Sequence, residues 1–221
     1  MEYLTYQLLK INDADEVIDL IKSDLSSWED GKKTAGKHAA KVKNNSQLNR
    51  SSNVAIKASE YISDKITKNH LIRSFCLIKK VHGILFSESN EGNGYGMHVD
   101  NAYMSSGRSD ISFTLFLSKP EDYEGGELCI QSLQENKEIK LSAGEIIFYP
   151  STSLHSVNKV SRGVRIVCVG WIESYISSQE DRSLLFGLDA GAKGLLSKHG
   201  QSPELDLIFQ SYNNLLRRMG G

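Results

Sequence analysis

Tyr95-Gly96-Met97-His98-Val99-Asp100-Asn101 is the stretch on which the fold turns. In an extended segment successive side chains alternate between faces, so His98 and Asp100, two apart, leave the same side of a strand. An imidazole and a carboxylate on one face are two of the three protein ligands of a metal site. The third has to come from a distant strand, and His155 stands at the edge of another β-rich run, far enough along for the intervening strands to fold back. His98, Asp100 and His155 would form a 2-His-1-carboxylate face. Such a face leaves positions open on an octahedral ion and suits non-haem Fe(II), whereas zinc more often takes a tetrahedral set. Alone, a His-x-Asp pair is a weak signal, because most such histidines are surface or hydrogen-bonded residues. His38, His70 and His199 lie in polar or helix-end contexts, and His82 reads as part of a turn.

Working outward, the texture from Leu71 onward is a series of short β-rich runs separated by turn residues: 75–79, 94–100, 110–117, 126–131, 138–141, 145–149 and 164–173. Gly125-Gly126 and Ala143-Gly144 mark tight turns. Short strands with no helix between them predict an antiparallel sandwich or barrel of jelly-roll type. Before them, helical spacing predicts a helix over 13–28, capped by Asn12 or Asp13, and another over 52–70, capped by Ser51 or Ser52. The polar, turn-rich residues 28–48 lie between, and their irregular composition beside a β core makes them a candidate substrate lid or binding edge. After Ile176 helices return over 182–188 and 203–219. In the last, Leu205, Ile208, Phe209, Tyr212, Leu215 and Leu216 form a stripe that must cover the barrel or a second subunit, as in a homodimer. The expected architecture is α+β: an N-terminal helical region over 1–70, a double-stranded β-helix (jelly-roll) core over 71–176, and a C-terminal helical tail over 177–221.

Composition excludes more than it selects. The 221 residues are 39% hydrophobic and 24% charged, and 26 basic against 27 acidic residues leave a net charge of −1. That carries no electrostatic footprint for nucleic acid and no polybasic membrane anchor. Met1-Glu2-Tyr3-Leu4-Thr5 lacks the features of a signal peptide, and no apolar run is long enough to cross a bilayer. Cys76, Cys129 and Cys168 are far apart in apolar runs, without a Cys-x-x-Cys pair. Buried free thiols in a reducing cytoplasm are the expectation.

One further residue points to the site. Val164-Arg165-Ile166-Val167-Cys168-Val169-Gly170-Trp171 is apolar on both faces, as a strand buried on both sides would be. Arg165 interrupts it, on the same face as Val167, Val169 and Trp171. A buried guanidinium needs an anion. Glu127 or Glu145 would make it structural; a ligand carboxylate, gripped by two parallel hydrogen bonds, would make it functional. Arg162, in a turn, is the less buried competitor.

A longer set of residues resembles a known family. It comprises Trp28-Glu29-Asp30-Gly31 with Thr34-Ala35-Gly36, and Val42-Lys43-Asn44-Asn45 with Gln47-Leu48. It continues with Tyr95-Gly96 leading into His98-Val99-Asp100-Asn101-Ala102, then Thr114-Leu115-Phe116-Leu117-Ser118 and Tyr123-Glu124-Gly125-Gly126-Glu127-Leu128. Tyr149-Pro150-Ser151, Ser153-Leu154-His155, Arg162-Gly163-Val164-Arg165, Trp171-Ile172 and Arg182-Ser183-Leu184-Leu185-Phe186 complete it. In these the chain resembles the PKHD-type hydroxylases, Fe(II)- and 2-oxoglutarate-dependent dioxygenases related to prolyl and lysyl hydroxylase domains. The resemblance implies that His98, Asp100 and His155 bind Fe(2+) and that Arg165 binds the distal carboxylate of 2-oxoglutarate. O2 is the further co-substrate and L-ascorbate the usual reductant. Hydroxylation of a C–H bond, in a peptidyl prolyl or lysyl residue if the family name is followed, would accompany decarboxylation of 2-oxoglutarate to succinate. Phe113, Leu115, Ile147 and Val167 would wall the site against water, with Asn101 and Tyr95 orienting the ligands. The chain departs from the family at Ser87-Glu88-Ser89, where Asn-Arg-Tyr is common; Tyr95 and Tyr149 are the residues that would take over a co-substrate contact. It departs again at Gly187, a glutamate elsewhere.

Two other classes compete. A non-catalytic metal- or 2-oxoglutarate-sensing jelly roll would keep the pocket without turnover, but sensing a metal alone gives Arg165 no task. A zinc hydrolase on a similar barrel would need a general base beside His98 and Asp100, and none is evident.

Overall fold

The structure is a computed structural model, described here for residues 3–34, 43–132 and 136–221. The elements run β1 (Leu4–Gln7), α1 (Ile11–Lys22), β2 (Trp28–Asp30), β3 (Lys43–Asn44), β4 (Ser46–Leu48), α2 (Asn53–Lys68), α3 (His70–Cys76), β5 (Ile78–Ser89) and β6 (Gly94–His98). They continue with β7 (Tyr103–Met104), β8 (Gly107–Arg108), β9 (Ile111–Phe116), β10 (Tyr123–Gly125), β11 (Leu128–Gln131), β12 (Asn136–Ile139), β13 (Glu145–Pro150), β14 (His155–Val157), β15 (Val160–Gly163) and β16 (Arg165–Ser174). Helices α4 (Gln179–His199) and α5 (Pro203–Met219) follow.

Strand β9 shows how the layers form. All six of its residues are buried, so it must be covered on both faces, and its alternation sorts the two covers. Ile111, Phe113 and Leu115 join a core with Ile146 and Phe148 of β13 and with Ile166, Cys168 and Ile172 of β16. Against these pack Val17 and Ile21 of α1, Ile62 and Ile66 of α2, and Ile72 of α3. On the opposite parity, Phe116 meets Ile147, Tyr149 and Val167 together with Leu128 and Ile130 of β11. One face of the large sheet therefore carries helices and the other carries a second sheet. Each fully buried Ile, Leu or Phe contributes about 1.5–3 kcal/mol of transfer free energy.

The large sheet has seven strands in the order β1-β13-β9-β16-β5-β4-β2, and the second has five, β12-β11-β14-β6-β3. The pairings are antiparallel throughout. Strands far apart in sequence lie side by side: β14 pairs with β6 so that His155 stands opposite His98. The class is α+β.

Several local expectations change. Among the described residues of 1–70 are two helices but also four short strands, which extend the edges of both sheets. With two to four residues each, they are too short to display an alternation. Helix α1 begins at Ile11 behind Lys10, with no side-chain cap, and ends at Lys22, short of the expected Trp28. Helix α2 is capped as expected, Ser52 Oγ accepting from the Ala55 amide at 3.2 Å. Phe75 and Cys76 end α3 rather than start a strand, and the break is made by Leu77 in a left-handed conformation (φ 46°). His82 lies within the long strand β5, not in a turn, with its ring nitrogens on Ser106 Oγ (2.8 Å) and the Arg108 carbonyl (2.9 Å). Helix α4 spans 21 residues, far beyond 182–188. Gly187, Gly191 and Gly194 hide its spacing, each costing about 1 kcal/mol of helix propensity. It is held by the Ser178 cap and by Phe186 packing edge-on against Phe75 of α3.

Candidate metal centre and active site

His98 closes β6 and His155 opens β14, so both imidazoles stand at strand ends in adjacent strands, their ring centroids 4.2 Å apart. Each Nδ1 meets a backbone carbonyl two residues earlier: Gly96 at 2.9 Å for His98, Ser153 at 3.0 Å for His155. A carbonyl only accepts, so Nδ1 carries the proton and Nε2 keeps its lone pair. Both Nε2 atoms lie 3.9 Å from the Asp100 carboxylate, beyond hydrogen-bonding reach. The three ligating atoms lie within 4.8 Å of one another, and no other such group of His, Cys, Asp or Glu occurs among the described residues. Burial, then the neighbouring His155, pushes His98 down to about 4, which keeps the ring in its neutral, metal-binding form.

Asp100 arrives differently from the expectation. Strand β6 stops at His98, so Asp100 lies beyond it. Its orientation comes from the large sheet: Oδ2 accepts from Ser112 Oγ at 2.6 Å and from Trp171 Nε1 at 2.9 Å. Ser112 Oγ also meets Ser151 Oγ at 2.8 Å. Neither Ser112 nor Ser151 was anticipated. Trp171 shares the parity of Arg165 on β16, and that parity was the available signal.

Arg165 opens β16, 3% exposed, and makes no ion pair with a described carboxylate. Its Nε and the buried Tyr123 hydroxyl nearby make no hydrogen bond of good geometry among the described residues, although Tyr123 lies close enough to act on the guanidinium charge. Of the two internal partners considered from sequence, Glu127 attracts Arg165 only as the last of the influences on its charge, and neither forms an ion pair with it. Glu127 accepts from Asn158 Nδ2 at 3.2 Å, and Glu145 accepts from the Ser142 amide at 2.8 Å. The guanidinium lies 5.5 Å over the Phe116 ring. Its path past β10 requires Gly126, which has φ +70°; a Cβ there would stand 2.8 Å from Arg165 Cδ. Burial lowers the Arg165 pKa, and Tyr123 and Tyr149 oppose that shift. Arg162 is instead an exposed partner of Glu124.

His98, Asp100, His155, Ser112, Trp171 and Arg165 line one cavity of about 350 Å³ between the sheets. Tyr95 stacks on His98 at 3.7 Å, and burial pushes its hydroxyl up to about 12. Tyr149 packs edge-on against His155 at 5.2 Å, and burial raises its pKa too. Of the expected apolar wall, Phe113 and Val167 line the cavity. Leu115 instead packs beneath the helices and Ile147 in the core between the sheets. Asn101 borders the cavity, and its backbone carbonyl accepts from Ser109 Oγ. At the departure from the family, Ser87 and Ser89 line the cavity, Ser87 Oγ accepting from Asn45 Nδ2 at 2.5 Å, while Glu88 pairs with Lys22. Lys43, Asn45 and Gln47, from within 28–48, border the cavity too. Lys43 sits 5.3 Å over the Tyr95 ring; burial, then the charge of Arg50, brings it down to about 8. His38 and the Ala35-Gly36 and Val42 positions lie outside the described residues. His70, His82 and His199 take no part in the cavity.

The donor set fits a divalent iron: two imidazoles whose Nδ1 atoms are occupied by backbone carbonyls, and a carboxylate with one oxygen already held. Arg165 fits a carboxylate co-substrate.

Comparison with known proteins agrees with that chemistry. Residues 84–173 match the family described as 2OG-Fe(II) oxygenase superfamily, and residues 180–220 match the PKHD-type hydroxylase C-terminal domain. A PKHD-type hydroxylase of Prochlorococcus marinus (strain MIT 9211) is 61% identical over 220 residues, covering 100% of both chains. Another, from a second strain of the same organism, is 62% identical over 221 residues, again covering 100% of both. Among solved structures, a Trichoplax adhaerens prolyl hydroxylase in complex with a hypoxia inducible factor oxygen degradation domain peptide fragment aligns with TM-score 0.59 at 14% identity, covering 83% of this chain and 86% of that one. A Pseudomonas putida prolyl-4-hydroxylase aligns with TM-score 0.55 at 14% identity, over 78% and 92%. At that identity the structures share the fold alone. The chain belongs to the PKHD-type hydroxylases, enzymes of the 2OG-Fe(II) oxygenase superfamily.

Proposed function

We propose that this enzyme hydroxylates a C–H bond at an iron(II) held by His98, Asp100 and His155. In the same turnover 2-oxoglutarate, anchored by Arg165, is converted to succinate and carbon dioxide. One oxygen atom of O2 enters the substrate and the other enters succinate. The observation that carries the reading is the pairing of two unlike demands in one cavity: three gathered ligand atoms, and a buried guanidinium with no ion-paired carboxylate among the described residues.

When bound, the iron supplies the activation of dioxygen. The chain does the rest. The Gly96 and Ser153 carbonyls hold both imidazoles with Nε2 toward the ion. Ser112 and Trp171 hold Asp100 Oδ2 and leave Oδ1 as the freer ligand. Arg165 fixes the far end of the co-substrate with a planar pair of donors. Leu128, Val167 and Val169 line the cavity and exclude water. L-ascorbate keeps the iron reduced, as the family resemblance implies.

The finer architecture follows the same reading: a double-stranded β-helix (jelly roll) over 71–176, flanked by 1–70 and 177–221. Support comes from the two facing antiparallel sheets, with His98 and His155 on one and Arg165 and Trp171 on the other. A peptidyl prolyl or lysyl residue is the substrate we favour, a homodimer through α4 and α5 the assembly, and the cytoplasm the compartment. The apolar residues Leu195 and Leu207, exposed on those helices, support the second. Three buried free cysteines support the third.

The test is succinate formation from 2-oxoglutarate with Fe(II) and ascorbate, in wild type and in His98→Ala. Loss in the variant is expected; turnover that survives removal of His98 defeats the ligand assignment. Molar mass in solution tests the dimer.

A further inference from the structure

We infer that the hydroxylated substrate carries an anionic group, and that the buried Lys43 and the exposed Arg50, both lining the cavity, receive it. The inference rests on the reading of the cavity as an iron and 2-oxoglutarate site, and narrows the substrate favoured above to a prolyl residue beside an acidic group, since a cationic lysyl side chain would meet like charge.

Charge is the first ground. Among the described residues lining the cavity, Lys43, Arg50 and Arg165 are cations, and Asp100 is the only carboxylate. Iron enters as a dication and 2-oxoglutarate as a dianion, so loading both leaves the balance unchanged. The loaded cavity keeps two more positive charges than negative, while the whole chain has a net charge of −1. The surplus is therefore local, and a substrate that enters it as an anion is favoured over its neutral counterpart.

Position is the second. Arg165 and the two other cations serve different parts of the cavity. Arg165 opens β16 in the large sheet, where Phe116 and Gly126 surround it. Lys43 belongs to β3 of the second sheet, with its Cα opposite that of Tyr95. Its ammonium lies over the Tyr95 ring, which in turn stacks on His98. The order Lys43, Tyr95, His98 places a nearly buried cation one aromatic ring away from a metal ligand. Arg50 is exposed and reaches the rim of the same cavity. One cation at depth and one at the rim suit a group that arrives from solvent.

The sequence supplies the third. Residues 31–50, from which both cations come, contain six Lys or Arg and no Asp or Glu. Asp30, one residue before that segment, and Asp100 are the carboxylates that act on Lys43.

The test uses wild-type protein loaded with Mn(II) in place of iron and with 2-oxoglutarate. Two pairs of probes are titrated: N-acetyl-aspartate amide against N-acetyl-asparagine amide, and N-acetyl-phosphoserine amide against N-acetyl-serine amide. Broadening of the probe protons by Mn(II) reports occupancy near the metal. The charged member of at least one pair should bind roughly tenfold more tightly than its neutral partner. The preference should persist in Lys43→Arg and vanish in the Lys43→Gln/Arg50→Gln double variant. Which pair shows it separates a carboxylate from a phosphate. Equal affinities within both pairs, including no broadening by any probe, overturn the inference, as does a preference that survives the double variant. A parallel tenfold loss of 2-oxoglutarate affinity in that variant also overturns it, because the cations would then serve the co-substrate. If wild type binds no 2-oxoglutarate with Mn(II) present, the underlying reading fails and this inference with it; equal affinities in the loaded protein defeat this inference alone.

Discussion

Trp171 donates its indole N–H to Asp100 Oδ2 across 2.9 Å, joining the large sheet to a carboxylate that lies past the end of a strand in the other. Without that bond and the one from Ser112, nothing in the regular structure of β6 would hold Asp100 toward the two imidazoles. Trp171→Phe keeps most of the bulk and removes the donor. Metal affinity, read by Mn(II) or Co(II) titration, should fall about 10–100-fold, with the far-ultraviolet dichroism unchanged. Undiminished affinity would mean that Asp100 is held without the indole.

Arg165 offers a test with opposite signs in two measurements. No described carboxylate pairs with it, so Arg165→Leu removes a desolvated charge that the fold does not need. Thermal stability of the ligand-free protein should stay level or rise, since replacing buried charge by apolar volume is often neutral or favourable. Affinity for 2-oxoglutarate should fall by about 2–5 kcal/mol, the usual cost of truncating one partner of a buried charge pair. Metal binding should remain. A destabilised protein that loses both ligands together would identify Arg165 as structural.

Gly126 should be intolerant of any side chain. At φ +70° an alanine is strained by about 1–2 kcal/mol. Its Cβ would also press on Arg165 Cδ. Gly126→Ala should therefore lower the melting temperature and weaken 2-oxoglutarate binding together. Gly187→Ala is the control: α4 has open space there, and stability should rise by about 1 kcal/mol.

Cys76 and Cys168 are fully buried, and burial pushes both thiols up from their ordinary value of 9.0. In the unfolded chain they lose protons near that value, while in the native state they keep them. The unfolded state then binds fewer protons, so stability is complete below about pH 9 and declines above it, by about 1.4 kcal/mol per pH unit for each thiol. Denaturant midpoints measured from pH 8 to 10.5 should show the decline, and the Cys76→Ala/Cys168→Ala variant a shallower one. Equal slopes would show that the thiols do not contribute. Thiol reagents should label neither residue until the protein unfolds.

What the sequence determined by itself lies mostly in short-range pattern. Alternation in β9 and β16 is a property of neighbouring residues, and it sorted Arg165, Val167, Val169 and Trp171 onto one face before any packing was known. Ser52 was legible as a cap for the same reason, since its bond spans three residues. His98, Asp100 and His155 could be nominated because metal chemistry restricts which residue types serve. Tertiary structure decided the rest. That His155 stands opposite His98 is a matter of register between β14 and β6. That Asp100 faces them depends on an indole and a hydroxyl from another sheet. The short strands β1, β3 and β4 lie along longer strands that offer them backbone partners, and β2 pairs in turn with β4. The basic lining of the cavity likewise needed the fold, because Lys43 meets Tyr95, and through it His98, only by the pairing of β3 with β6. Local pattern is written in neighbouring residues, whereas register, sheet edges and cavity charge are sums over distant ones that only the packed chain evaluates.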